Sequence, residues 1–296
     1  MTTGTRSSGP VEVLRYTAFT TTPAGGNPAG VVLRADGLDP AGMARIAADV
    51  GFSETAFLSA APPDATPAPD ETHCTVRYFS PRAEVPFCGH ATIAAAVARA
   101  AREGTGTLVL HTRSGRVPVR TRWEGDALTA TLTSVPPRVL PVDDADVDRT
   151  LDLLGWRRDE LDPRLPPRVA FAGAHHLVLA AATRSRLARL EYDLEALGEL
   201  MAARDWTTLQ LVHRTGPRGF DVRDPFPPGG VFEDAATGAA AAALGAYLAD
   251  LGAIEPPVRL TLAQGHDMGR PSTLLVDVAA DPGRGVDVTG SAVPLA

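Results

Sequence analysis

One pattern occurs twice in this chain and limits the folds open to it. A strand runs into a short Pro-containing turn, and an alanine-rich helix with almost no polar face follows. In the first copy (77–96) Phe79-Ser80-Pro81 ends the strand and Cys88-Gly89-His90 opens the helix. In the second (223–242) Phe226-Pro227-Pro228 leads through Glu233-Asp234 to Thr237-Gly238-Ala239 and a second helix. A helix that is apolar nearly all round is a buried helix. Two of them need two wraps of other structure. The first amides of a helix have no intrahelical partner, and its dipole is positive there, so each terminus suits an anion.

The remaining sequence supplies strands for both wraps. In the first half strands are expected over 11–19, 29–33, 56–58, 72–79, 107–112, 116–123 and 127–133. A helix is expected over 41–50, entered by Asp39-Pro40, and the buried helix over 91–101. Residues 20–28 and 60–71 read as loops, and 134–141 as a Pro-rich bridge. In the second half helices are expected over 144–154, 194–203 and 237–251. Strands are expected over 168–172, 176–181, 208–213, 219–223, 259–263, 273–278 and 286–293. Residues 108–116 and 260–270 also align, so the second half repeats the plan of the first. Two domains follow, 11–134 and 140–296, with the last strand able to pack back onto the first domain. The fold class is α/β (α+β), and a pseudo-twofold would bring the helix N-termini to a cleft between the domains. Met1 to Pro10 is polar, lacks the apolar core of a signal peptide and is expected to be a disordered tail.

Composition closes off several functions. The 296 residues carry a formal charge of −7, which argues against nucleic acid as the main partner. No apolar run approaches membrane-spanning length, and a cytoplasmic location is the expectation. The only cysteines are Cys74 and Cys88, too few for a disulfide framework or a Cys-rich zinc site. Lysine is absent, which removes Schiff-base chemistry and the lysine of a Walker-type phosphate loop. His175-His176 opens an apolar strand with no ligand cluster near it in sequence, so it reads as structural and no metal site is expected.

Carboxylates and histidines remain for chemistry. Glu54 stands between Phe52 and Phe57, where desolvation would raise its pKa into the range of a proton-transfer group. Its position fits an exposed loop or a helix cap equally well. His90 opens the first buried helix and either orients a substrate or caps the helix. Asp234 holds the corresponding place in the second half; read alone, it is an ordinary N-cap. Cys88 has no partner thiol in the second half, which excludes two-thiol racemisation, and it reads as a small buried residue.

Five spaced segments resemble the phenazine-biosynthesis isomerase (PhzF-like) family. They are Gly26-Asn27-Pro28-Ala29-Gly30, Ser53-Glu54-Thr55-Ala56-Phe57, Cys88-Gly89-His90-Ala91-Thr92, Glu233-Asp234-Ala235-Ala236-Thr237-Gly238, and Gln264-Gly265 with Gly269-Arg270. The resemblance spans nearly the whole chain. It implies the diaminopimelate epimerase-like fold, in which each of two pseudo-symmetric domains wraps a barrel-like, mostly antiparallel sheet around a central helix. It implies a homodimer, no cofactor and a small carboxylate-bearing substrate. It assigns proton transfer to Glu54, with His90 and Asp234 beside it. The two facing helix N-termini place Gly89, His90, Thr237, Gly238 and Ala239 at an anionic group of the substrate, and Asn27 is expected among the substrate-binding residues. The family motif usually reads Asp-Pro-Ala-Thr-Gly-Ser; Ala235 and Ala239 replace its proline and serine, which removes one hydroxyl contact. The implied activity is a double-bond shift in a small cyclic acid of a natural-product or antibiotic pathway, phenazine-like or of the 4-alkyl-proline type. A Glu/His epimerase of an amino acid and a non-catalytic binding protein are the alternatives.

Overall fold

The computed structural model describes residues 11–296, and the expected tail over 1–10 lies outside them. The first half contains β1 (Leu14–Ala18), β2 (Asn27–Val32), α1 (Pro40–Val50), β3 (Glu54–Ala60), β4 (Glu71–Phe79), β5 (Glu84–Val85), α2 (Gly89–Glu103), β6 (Thr107–Thr112), β7 (Gly115–Glu124) and β8 (Ala127–Thr133). A connecting stretch holds β9 (Arg138–Leu140) and α3 (Asp144–Leu154). The second half contains β10 (Arg168–Phe171), β11 (His175–Ala180), α4 (Arg184–Ala188), α5 (Leu194–Ala203), β12 (Thr208–Arg214), β13 (Gly219–Phe226), β14 (Val231–Asp234), α6 (Gly238–Asp250), β15 (Val258–Gln264), β16 (Ser272–Val278) and β17 (Asp287–Pro294).

The duplication extends to the pairing. β1–β2 is antiparallel, β2–β3 parallel, β3–β4 antiparallel, β4–β6 parallel, and β6–β7 and β7–β8 antiparallel. The run β10, β11, β12, β13, β15, β16, β17 repeats that sequence of senses step for step. The hairpin strands β5 and β14 occupy equivalent places, each ahead of a buried helix.

The halves also exchange strand ends. β17 pairs with β16 of its own half and with β8, then its C-terminal residues pair with β1, closing an eight-stranded barrel in the first half. The chain leaving β8 does the reciprocal thing, because β9 pairs with β10. The Pro-rich bridge expected over 134–141 is therefore partly strand.

α2 packs inside the first wrap against β1, β2, β3, β7, β8 and β17, and α6 inside the second against β9, β10, β11, β12, β16 and β17. Alanine makes this possible: Ala91, Ala94, Ala95 and Ala98 on α2, and Ala240 and Ala242 on α6, are completely inaccessible. Where even a methyl group is too large, glycine appears. A Cβ on Gly245 would stand 2.9 Å from both Val276 Cγ1 and Val278 Cγ2. Among the described residues no helix is long and apolar enough to cross a membrane.

Candidate active site

The two buried helices point their N-termini at each other. A Cβ built on Gly89 would lie 3.8 Å from Gly238 Cα and 3.9 Å from its amide nitrogen. The first intrahelical bonds run from Thr92 N to Cys88 O and from Ala241 N to Thr237 O. The amides of Gly89, His90 and Ala91, and of Gly238, Ala239 and Ala240, stand ahead of those bonds, where helix geometry supplies no acceptor. Thus Gly89 and Gly238 meet where the two halves join, with Ala239 following Gly238 and Thr237 as the N-cap of α6.

Glu54, Cys88 and His90 converge on the first-half side. Glu54 Oε2 is 3.4 Å from His90 Nε2 and accepts a hydrogen bond from the Cys88 thiol at 3.6 Å. Cys88 Sγ is 3.4 Å from His90 Nδ1, and Ser53 Oγ is 3.3 Å from His90 Nε2. The side chains of Glu54 and His90 are 15% and 7% exposed, so both stand in a largely dry site. Burial pushes the Cys88 thiol well above its ordinary pKa, and the Glu54 charge adds to this, so the sulfur is a neutral donor.

The expected aromatic sandwich around Glu54 does not form on the Phe57 side. Strand side chains alternate, so Glu54 and Ala56 share one face of β3 and Phe57 takes the other. Ala56 joins the core around α2, whereas Phe57 packs with Val32, Met43, Ala47 and Phe79 beneath α1. Cys88 and His90 are what Glu54 meets. The capping readings are corrected too. Cys88 is the N-cap of α2, and His90 lies one residue inside the helix.

Asp234 is not the positional equivalent of His90. It ends β14, three residues before the Thr237 N-cap, because Ala235 and Ala236 intervene. Asn27 Nδ2 donates to Asp234 Oδ1 at 2.7 Å and to Ala236 O at 3.2 Å, tying the first half to the second. Thr237 Oγ1 donates to Asp234 Oδ2 at 2.7 Å. Burial raises the Asp234 pKa; His90, Thr237 and Asn27 oppose the rise, and the Glu54 charge adds to it. These mutual influences place Asp234 near the Glu54–His90 cluster, from the other half. Its neighbour Glu233 is buried in an ion pair with Arg223.

Sequence reasoning missed several supports. Gln264 accepts from Thr237 N at 3.1 Å and donates to Asp234 O at 2.9 Å and to Asp224 Oδ2 at 3.1 Å. Arg270 clamps the loop before Asn27, donating to Gly26 O at 3.0 Å and Gly25 O at 2.6 Å. Gly25 is required there, since a Cβ would lie 2.3 Å from Pro271 O. Phe19 adopts φ 64°, a costly conformation for a bulky residue, and its ring packs against Gly238 and Gly290. The Gln264-Gly265 and Gly269-Arg270 motifs were the available signal for two of these supports; Phe19 gave none. His175 and His176 stay apart from the cleft cluster, on Asp205 and Thr208 respectively. A surface groove of about 560 Å³ lined by Tyr16, Val97, Trp123, Leu128 and Val293 shares no residue with the cluster.

Residues 16–296 match the family model described as phenazine biosynthesis-like protein, PhzC-PhzF. The chain is 30% identical over 295 residues to an uncharacterized isomerase, YddE, of Escherichia coli, covering 96% of each chain. It is 30% identical over 280 residues to the trans-2,3-dihydro-3-hydroxyanthranilate isomerase of Pseudomonas fluorescens, covering 93% of this chain and 94% of that one. The crystal structure of a PhzF-family phenazine biosynthesis protein from Bacillus anthracis superposes with a TM-score of 0.83 at 24% identity, covering 96% of each chain, and shares the fold.

Proposed function

Because this chain belongs to the phenazine biosynthesis-like (PhzC-PhzF) family, we propose that it is an isomerase that shifts a double bond by proton transfer through Glu54. One observation carries this reading: Glu54 and His90 meet 3.4 Å apart, and His90 stands in the first turn of a helix whose N-terminus faces that of its counterpart. A substrate carboxylate is held by the free amides at Gly89, His90, Gly238 and Ala239. The Glu54 carboxylate takes the proton from a carbon flanking the double bond, and the electron pair shifts along the conjugated system. The proton then returns at the far end of that system. One carboxylate serves as base and then as acid. His90 orients the substrate and stabilises developing charge. Asp234, fixed by Asn27 and Thr237, faces it from the other half.

The substrate class is a small cyclic carboxylic or amino acid of a natural-product pathway. Trans-2,3-dihydro-3-hydroxyanthranilate, on which the Pseudomonas relative acts by name, is the first compound to test, and unsaturated 4-alkyl-proline precursors come next. Glu54→Gln keeps the side-chain shape and removes the base. Turnover is expected to fall by roughly 10²–10⁴-fold, with solvent deuterium no longer entering the product. Near-normal turnover in Glu54→Gln, with His90→Ala inactive, would assign the proton to the helix terminus instead.

A further inference from the structure

One buried acid takes no part in the chemistry proposed above. Asp224, on β13, is completely inaccessible and lies directly opposite Asp234 in the antiparallel β13–β14 pair. Residues opposed in this way put their side chains on the same face. Two buried carboxyl groups therefore stand side by side. Arg223, the cation next in sequence, projects to the other face, where it is bonded to Glu233.

The two carboxyl groups are provided for unequally. Asp234 receives Asn27 Nδ2 on one oxygen and Thr237 Oγ1 on the other, both at 2.7 Å. Asp224 receives Gln264 Nε2 at 3.1 Å on Oδ2, while its Oδ1 is buried with no hydrogen-bond partner among the described residues. An empty oxygen costs a buried carboxylate far more than it costs a neutral acid. Of the strands beside β13, β12 brings the uncharged Gln210, one step beyond its last pair, and β15 brings Gln264. The charges that act on Asp224 are those of Asp234 and Glu233; with burial they push it well above the ordinary carboxylate range, against Thr237 and Gln264. The first half offers a parallel. Tyr78 pairs with β5 beside the Arg77–Glu84 ion pair as Asp224 pairs with β14 beside Arg223–Glu233. It is a buried neutral hydroxyl, 2.6 Å from Thr92 Oγ1 of α2.

We propose that Asp224 is a positioning residue held as the neutral carboxylic acid, which leaves Asp234 as the single charge of the pair and fixes the N-cap of α6 through Gln264. By accepting from Gln264 Nε2, Asp224 orients that amide. Gln264 Oε1 then accepts from Thr237 N at 3.1 Å, and Nε2 reaches Asp234 O at 2.9 Å. Ionisation of Asp224 would set a second negative charge near the helix terminus that receives the substrate carboxylate. That last consequence rests on the proposed function; the protonation state does not.

The test uses the full-length protein. Infrared spectra at neutral pH should show a protonated-carboxyl carbonyl band that disappears in Asp224→Asn and in Asp224→Leu. No such band in the unaltered protein, or its persistence in either variant, overturns the assignment. Urea unfolding supplies an independent reading. An unfolded aspartate ionises near pH 4 while Asp224 keeps its proton, so the folded state holds more protons and loses stability as pH rises. Relative to Asp224→Asn, the natural chain should lose up to about tenfold in its folding equilibrium per pH unit above that point. A ratio independent of pH overturns the neutral acid. Asn still offers Gln264 an acceptor and Leu does not. KM for trans-2,3-dihydro-3-hydroxyanthranilate should therefore be about fivefold higher in Asp224→Leu than in Asp224→Asn, the net worth of one hydrogen bond. Equal KM values overturn the positioning role. The infrared and unfolding readouts need no turnover, so failure of the proposed chemistry is separable from failure of this assignment.

Discussion

His176 gives the most direct test of the electrostatics of this fold. It lies on β11, fully buried, with Nδ1 bonded to Thr208 Oγ1 at 2.8 Å and Nε2 without a partner. Burial, with a smaller contribution from the neighbouring His175, lowers its pKa from the usual 6.5 to about 3. The folded protein therefore holds a neutral imidazole, while the unfolded chain binds a proton below about pH 6.5. Between the two values the unfolded state carries more protons, so stability falls as pH falls. The slope approaches about 1.4 kcal/mol per pH unit once the unfolded histidine is fully protonated and is half that at pH 6.5, so the step from pH 6.5 to 4.5 should cost about 2.3 kcal/mol from this residue alone. The assay is urea unfolding at a series of pH values, for the natural chain and for His176→Asn, which keeps a polar atom for Thr208 and does not titrate. Asp224 and Asp234, whose pKa values burial raises, act in the opposite sense as pH falls; the difference between the two proteins removes their contribution. The difference should shrink steadily towards acid. A constant difference across that window would refute a neutral, non-titrating His176.

Three further outcomes follow from the packing and the cleft. Gly245→Ala should destabilise by about 1 kcal/mol by urea unfolding, because two valine methyls at 2.9 Å outweigh the helix propensity that alanine brings. Arg223→Met should cost about 3–5 kcal/mol by leaving the Glu233 carboxylate buried and unpaired, and adding Glu233→Leu should restore most of it; an unchanged midpoint for the single variant would contradict the pairing. Ala239→Ser returns a hydroxyl to the N-terminus of α6, and titration calorimetry should show tighter binding of a substrate that uses it.

The two helices, most strands and the internal repeat were legible because each depends on local composition. Alanine runs mark helices that must be enclosed, and alternation marks the strands. The shortest pieces escaped for a physical reason. β5 and β9 are held by a few backbone bonds that leave little side-chain pattern, and proline in the stretch to β9 reads as a break. At the site, Glu54, His90 and Asn27 could be chosen from the sequence, but their company could not. Cys88 touches Glu54 across 34 residues of chain, and Asn27 reaches Asp234 across 207. The error over Phe57 came from counting neighbours along a strand whose faces alternate. The offset of Asp234 came from equating two turns of unequal length.

The exchanged strand ends carry a consequence for descent. A lone half with this topology would leave the outer edge of its first strand open, and the end of its last strand would have nowhere to go. Two identical halves solve both problems by trading ends, as β9 does with β10 and β17 with β1. The ancestral unit implied is a strand-swapped pair of identical short chains, with one cleft on their symmetry axis and the same groups on both sides. Joining them into a single gene released each side from copying the other. One side could then keep glutamate, cysteine and histidine, while the other settled on an aspartate fixed by the asparagine of its twin.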